Sequence, residues 1–103
     1  MREQRVVDTG LEYVPGDHVV VRVVRRDGRT RISDDGAAVE RAGRRAGWRD
    51  VAGGIEDELV VNVSRQGVVF LPLSPRCGPA EKEIVHRIGE ASLALYQSLL
   101  DLE

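Results

Sequence analysis

The stretch Arg31-Ile32-Ser33-Asp34-Asp35-Gly36, followed by Ala37-Ala38-Val39, constrains the fold more than any other part of this chain. It places polar capping residues between an extended segment and a helix-forming one, so it marks the step from a β-hairpin into a helix. Ser33 and Asp34 are the candidate N-caps, because a short side-chain oxygen can accept a hydrogen bond from an unpaired first-turn amide. Asp35 adds negative charge where the helix dipole is positive. Two adjacent carboxylates could also serve metal binding or acid–base chemistry. Such sites bring further ligands at defined spacing, and none stands nearby, so capping is the expected role.

The hairpin before this step is readable in detail. Pro15-Gly16-Asp17 is a turn signal. His18 to Val24 reads as a strand in which five of seven residues are Val. A continuous β-branched run of that kind predicts a central strand covered on both faces. Asp27-Gly28 favours a two-residue hairpin turn, since both central residues must reach positive φ. Arg29 to Ser33 then pairs back. Ahead of the hairpin, Met1 to Asp8 frames a short edge strand or a lead-in.

After the step, Ala38, Val39, Ala42 and Ala46 fall on one helical face, and Gly47 is placed to cap the C-terminus of a helix ending near Ala46. Trp48 is then free to fill the space beside the helix end. Asp50 to Glu58 is ambiguous, because Gly53-Gly54 argues for a loop and the acidic run after it for one helical turn. Leu59 to Val63 reads as a third strand. Ser64-Arg65-Gln66-Gly67 is a turn. Val68 to Leu71 or Leu73 is a fourth strand, ended by Pro72, Pro75 and Pro79. A long last helix runs from about Pro79 or Ala80 to Leu100, with Ile84, Ile88, Ala91, Leu95 and Leu99 in one stripe. Its apolar arc approaches roughly half the circumference. The fold class predicted is therefore α+β: an antiparallel sheet of four or five strands built from two hairpins, with two main helices, in the order ββαββα. All 103 residues are expected to form one domain.

Aromatic residues make up only 4% of the chain, so its core must be aliphatic and modest. The net charge of −2 hides an asymmetry: residues 1–50 carry +2 and residues 51–103 carry −4. That balance is too even to imply nucleic acid by itself. Fourteen of the fifteen basic residues are Arg, a bias expected of a GC-rich bacterial genome. Cys77 is the single cysteine, which excludes an intramolecular disulfide. No apolar run is long enough to cross a membrane, and no secretory leader is visible, so a cytoplasmic setting is expected.

Chemistry-bearing residues are few. His18 and His86 are the only imidazoles, and neither sits in a metal-binding pattern. Cys77 follows Arg76 but has no histidine base beside it. No nucleophile, base and orienting group can be assembled, so no catalytic residue, metal or cofactor is expected. Arg22, Arg25, Arg26, Arg29 and Arg31 cluster on the first hairpin, and Arg41, Arg44, Arg45 and Arg49 on or just after the first helix. Merged, these would form a basic ridge able to grip phosphates. Interspersed acids and the lack of an aromatic pair favour a solvated, partly ion-paired surface instead.

Two resemblances follow from these motifs. The Gly16-Asp17 turn, the Val-rich strand, the Asp27-Gly28 hairpin and Ile32-Ser33-Asp34-Asp35-Gly36 resemble a small bacterial and phage family of unknown function. Its members carry a hairpin that ends in a hydrophobic-x-Asp-Asp-Gly step into a helix. That likeness spans Gly16 to Trp48 and implies no activity. The order of elements is also similar to the secretion-chaperone-like fold, whose dimers bind other proteins. The expectation is a non-enzymatic, chaperone-like or protein-interaction module, forming a homodimer and binding an unidentified protein. Gly89, Leu93, Tyr96 and Leu100 on the last helix are the expected dimer interface, Gly89 allowing close approach. The alternative is a nucleic-acid-binding accessory protein that uses the arginines.

Overall fold

The computed structural model describes residues 2–73 and 81–102. Strands β1 (Arg2–Val14), β2 (Asp17–Arg26) and β3 (Arg29–Ser33) form an antiparallel meander. Helices α1 (Ala37–Ala42) and α2 (Trp48–Leu59) follow, then β4 (Asn62–Val63), β5 (Val69–Leu73) and the long α3 (Glu81–Leu100). The fold is α+β, with one five-stranded antiparallel sheet in the spatial order β1-β2-β3-β5-β4. The chain order is βββααββα, not the expected ββαββα. The extra strand is β1, and the extra helix is α2.

Strand β1 is far longer than a short edge piece. Its first half pairs with β2 in unbroken register from Arg2 opposite Arg26 to Asp8 opposite Val20. The register then shifts between Asp8 and Glu12, around Gly10, so the strand bends and carries Tyr13 back under the helices. The Asp27-Gly28 turn is as expected, with φ of 53° and 75° at the two central residues.

The first helix is shorter than its apolar spacing suggests. It ends at Gly43, whose amide donates to the Val39 carbonyl at 2.7 Å. Gly47 does not cap it; Gly47 instead precedes α2 in the left-handed region, at φ 84°. Ala46 is consequently exposed and lies on no helix face. Helix α2 forms across Gly53-Gly54 because Trp48, Val51, Ala52, Ile55 and Leu59 recur at helical spacing and pack on the core. That burial outweighs the roughly 1 kcal/mol that each glycine costs a helix. Leu59 therefore ends a helix and does not begin a strand. Only Asn62 and Val63 of the expected third strand pair with β5. Pro72 lies inside β5, where β4 no longer runs alongside and no amide is needed.

Helix α3 lies across the sheet, with Ile88, Ala91, Leu95 and Leu99 fully buried. Along β2, Val19, Val21 and Val23 are buried beneath the helices, while Val20 and Val24 are only half-covered. The valine run is thus covered on one face, not two. Helices α1, α2 and α3 lie on the same side of the sheet as these odd-numbered valines, and among the described residues no helix covers the other face.

Candidate functional site

The alternation of a strand sends every second residue to the open face. On β2 these are His18, Val20, Arg22, Val24 and Arg26. Register carries the same parity to Arg29, Arg31 and Ser33 on β3, to Phe70 and Pro72 on β5, and to Asn62 on β4. All of these except His18 and Val20 line a shallow open groove of about 990 Å³. Arginines alternate there with aliphatic and aromatic groups, so the surface is both cationic and partly apolar.

Three of these arginines have visible partners. The Arg22 guanidinium lies 3.3 Å from the Asp35 carboxylate, and that of Arg26 lies 3.8 Å from Asp27. The Arg31 guanidinium lies over the Phe70 ring, with Cζ 4.1 Å from its centroid. That cation–π contact contributes roughly 0.5–1 kcal/mol at an exposed site.

The arginines grouped by the sequence are divided by the fold. Arg22, Arg26, Arg29 and Arg31 share the open face. Arg25 has the opposite parity and stands with Glu3, Arg5 and Glu81 at the helix side of the sheet. Arg41 donates two hydrogen bonds to Asp17, at 2.7 and 2.9 Å, and covers the Tyr13 ring. This pairing holds the Asp17 carboxyl below its ordinary range. Arg45 donates to the carbonyls of Leu102 and Leu100. Arg44 is exposed. Arg41 and Arg45 are thus engaged within the chain rather than extending the hairpin cluster into one ridge.

The expected interface on α3 is likewise divided. A Cβ on Gly89 would lie 2.8 Å from Thr9 Cγ2, so the close approach that Gly89 allows is to β1 of its own chain. Tyr96 meets Tyr13 edge-on, with centroids 5.2 Å apart, and Leu93 packs against the core. Leu100, at 44% exposure, is the one member of the set that faces largely outward. Much of the apolar arc of α3 is covered by β1, α1 and α2. Cys77 lies outside the described residues.

Gly36, not Ser33 or Asp34, holds the N-cap position of α1, and Asp34 is a buried hub instead. Its side chain is 1% exposed and accepts four hydrogen bonds. Oδ1 receives the amides of Gly36 at 2.8 Å and Val69 at 2.9 Å. Oδ2 receives the Ser92 hydroxyl at 2.7 Å and the Ala38 amide at 3.5 Å. The residue preceding α1 is Gly36, and it is Asp34, two residues earlier, that reaches the first turn. Ser33 instead accepts the Asp35 amide. The Tyr13 hydroxyl donates to Ser92 Oγ at 2.6 Å, which completes a buried Tyr13–Ser92–Asp34 chain. Burial pushes the Asp34 carboxyl above the usual carboxylate range despite its four donors, and it raises Tyr13 as well. The chain is sealed from solvent, so its chemistry is structural: it ties β1, the β3–α1 step, β5 and α3 to one another. Sequence reading missed Tyr13 and Ser92. The only signal was a serine beside the apolar stripe of α3.

At the far end of the open face, His18 Nδ1 lies 2.7 Å from Asp8, which holds the imidazole proton above its ordinary pKa. Among the described residues no three His, Cys, Asp or Glu side chains gather as a metal site would require. Among them, too, no helix is long and apolar enough to cross a membrane.

Comparison of the chain with protein-family models, with curated proteins and with solved structures finds no match in any of the three.

Proposed function

We propose that this protein is a non-enzymatic binding module whose working surface is the open sheet face, and that its partner is a protein segment in which acidic and aliphatic residues alternate. The observation that carries this reading is the placement of Arg22, Arg26, Arg29 and Arg31 around Val24, Phe70 and Pro72 on the uncovered side of the sheet. An extended acidic strand laid across such a face sets carboxylates against guanidinium groups and aliphatic side chains against the valine, phenylalanine and proline. Arginine suits this role because its planar fork can bind a carboxylate through two parallel hydrogen bonds.

Single-stranded nucleic acid is the competing ligand for a cationic sheet. Such sheets stack two or three bases on successive aromatic rings. Here Phe70 is the one ring on the open face among the described residues, and Arg31 already covers it. The acidic-segment reading therefore accounts for more of the surface.

The test is fluorescence anisotropy with three labelled probes of equal length: an alternating Glu-Val peptide, an alternating Lys-Val peptide and oligo-dT. The Glu-Val peptide should bind and the Lys-Val peptide should not. Arg26→Glu with Arg31→Glu should weaken the former by roughly tenfold or more, since each replaces a charge-assisted contact with repulsion. Both positions are exposed, so the fold should be retained. Tighter, steeply salt-dependent binding of oligo-dT would transfer the surface to nucleic acid. Glu-Val binding that ignores the charge reversal would remove the open face from the function.

A further inference from the structure

The two edges of the sheet are unlike. At one edge stands β4, only two residues long, and so short a strand offers little to pair with. At the other stands β1, thirteen residues long, with β2 on one side and no strand on the other among the described residues. The second half of β1 is interrupted by the register shift around Gly10, a device that blunts an edge. The first half, Glu3 to Asp8, has no proline and no bulge and keeps regular register with β2. Glu3, Gln4, Arg5 and Val6 are exposed, Val6 at 59%. A regular, exposed edge of this kind is a template for another strand.

The charge order of this segment selects its partner. In an antiparallel pair related by a two-fold axis normal to the sheet, facing residues must share parity. Centring the axis on Arg5 sets Arg5 against the partner's Arg5, and centring it on Glu3 sets two glutamates together. Like charges directly opposite are destabilising. Centring on Val6 carries Glu3 into the irregular stretch beyond Asp8. Centring on Gln4 sets Glu3 against the partner's Arg5 and Arg5 against the partner's Glu3. Arg5 also ion-pairs with Glu81 of its own chain, which places its guanidinium between two carboxylates.

We propose that the protein forms a homodimer by antiparallel pairing of the β1 edges of two copies, with Gln4 at the two-fold axis and Glu3 opposite the partner's Arg5. The occupant of the edge is a second copy of this chain. The two sheets become one of ten strands, and their open faces join into a single surface. The inference rests on the edge alone and stands or falls independently of what the open face binds.

Charge reversal across the axis tests it. Sedimentation equilibrium of the wild type should show dimers at about 100 μM or below. Glu3→Arg sets arginine against arginine twice, and Arg5→Glu sets glutamate against glutamate twice. Each variant alone should weaken the dimer at least about tenfold. An equimolar mixture of the two should restore association, because each Arg then faces a Glu. Circular dichroism melting checks that each variant is folded, and Glu3→Arg leaves the Arg5–Glu81 pair untouched. Three results would overturn the proposal: a monomeric wild type at about 100 μM, a dimer indifferent to both variants, or weakened variants whose mixture stays monomeric.

Discussion

On β2 the odd-numbered residues Val19, Val21 and Val23 are buried beneath helices, and the even-numbered Val20, Arg22, Val24 and Arg26 look out from the uncovered side. One strand thus builds two surfaces with opposite chemistry. The helix-covered face holds its polar groups only where each is matched: Asp34 and Ser92 are buried, and none of their side-chain oxygens lacks a hydrogen bond. The open face leaves its cations beside solvent, paired loosely with Asp27 and Asp35 or resting on Phe70. Surface ion pairs of that kind contribute about 0–1 kcal/mol each. Stability therefore resides on the helix-covered face, and the open face is the one proposed to bind.

The sharpest way to break this contrast is at Asp34. Asp34→Ala removes the acceptor for the Gly36 and Val69 amides and the Ser92 hydroxyl. Each buried donor left without a partner costs about 1–3 kcal/mol, so the loss in urea denaturation should be about 3 kcal/mol or more. The same residue has a pH signature. The unfolded chain releases the Asp34 proton near 3.8, and the folded chain holds it to higher pH. The folded state binds more protons across that window, so the stabilisation by Asp34 is greatest below 3.8 and declines as pH rises through the raised value. Asp34→Ala should consequently be more damaging in acid than at neutrality. A cost that is the same at both would mean that folding leaves the Asp34 pKa unshifted, and a smaller cost in acid would mean that the folded carboxyl is held ionised below its ordinary range.

A smaller effect is expected where α3 presses on β1. Gly89→Ala should cost about 1–3 kcal/mol by overpacking against Thr9, although alanine favours a helix. Thr9→Ser removes the methyl group that the new Cβ would meet and keeps the hydroxyl that donates to the Val19 carbonyl. The double variant should recover most of the loss in thermal melting. If Gly89→Ala alone raised the melting temperature, α3 and β1 would not be in close contact.

The smallest expected effect belongs to the open face. His18 is raised above 6.5 by its hydrogen bond to Asp8, and both side chains are solvated. The stabilisation from this pair is full below 6.5 and fades as pH climbs through the raised value. An NMR titration of the imidazole should show a midpoint above the ordinary histidine value, returning toward it in Asp8→Asn. A midpoint unmoved by that substitution would detach His18 from Asp8.

Some of this molecule was legible from local pattern. The Asp27-Gly28 turn, the β2–β3 hairpin and the stripe Ile84, Ile88, Ala91, Leu95 and Leu99 are all where their spacing puts them. Periodicity is reliable in these places because each element is long or ends in a residue of distinctive conformation. The segment Trp48–Leu59 was not legible, since Gly53-Gly54 lowers local helix preference and only packing on the core restores it. Leu59 to Val63 was misread for a related reason. A short apolar run suits the end of a helix or a strand equally, and Val60 breaks it by adopting φ 55°.

The arginine cluster shows the same division. Sequence order alone grouped Arg22, Arg25, Arg26, Arg29 and Arg31, whereas strand parity sends Arg25 to the opposite side from the others. By itself the sequence determined the hairpin, the helix-start step, the long final helix and an aliphatic core, because these depend on neighbours within one or two turns of chain. Tertiary structure alone decided that Asp34 would be a buried hub. Its partner Ser92 is 58 residues away, and Tyr13 lies 79 residues from Ser92. No local pattern encodes a contact between segments that far apart; they meet only when α3 docks across the sheet.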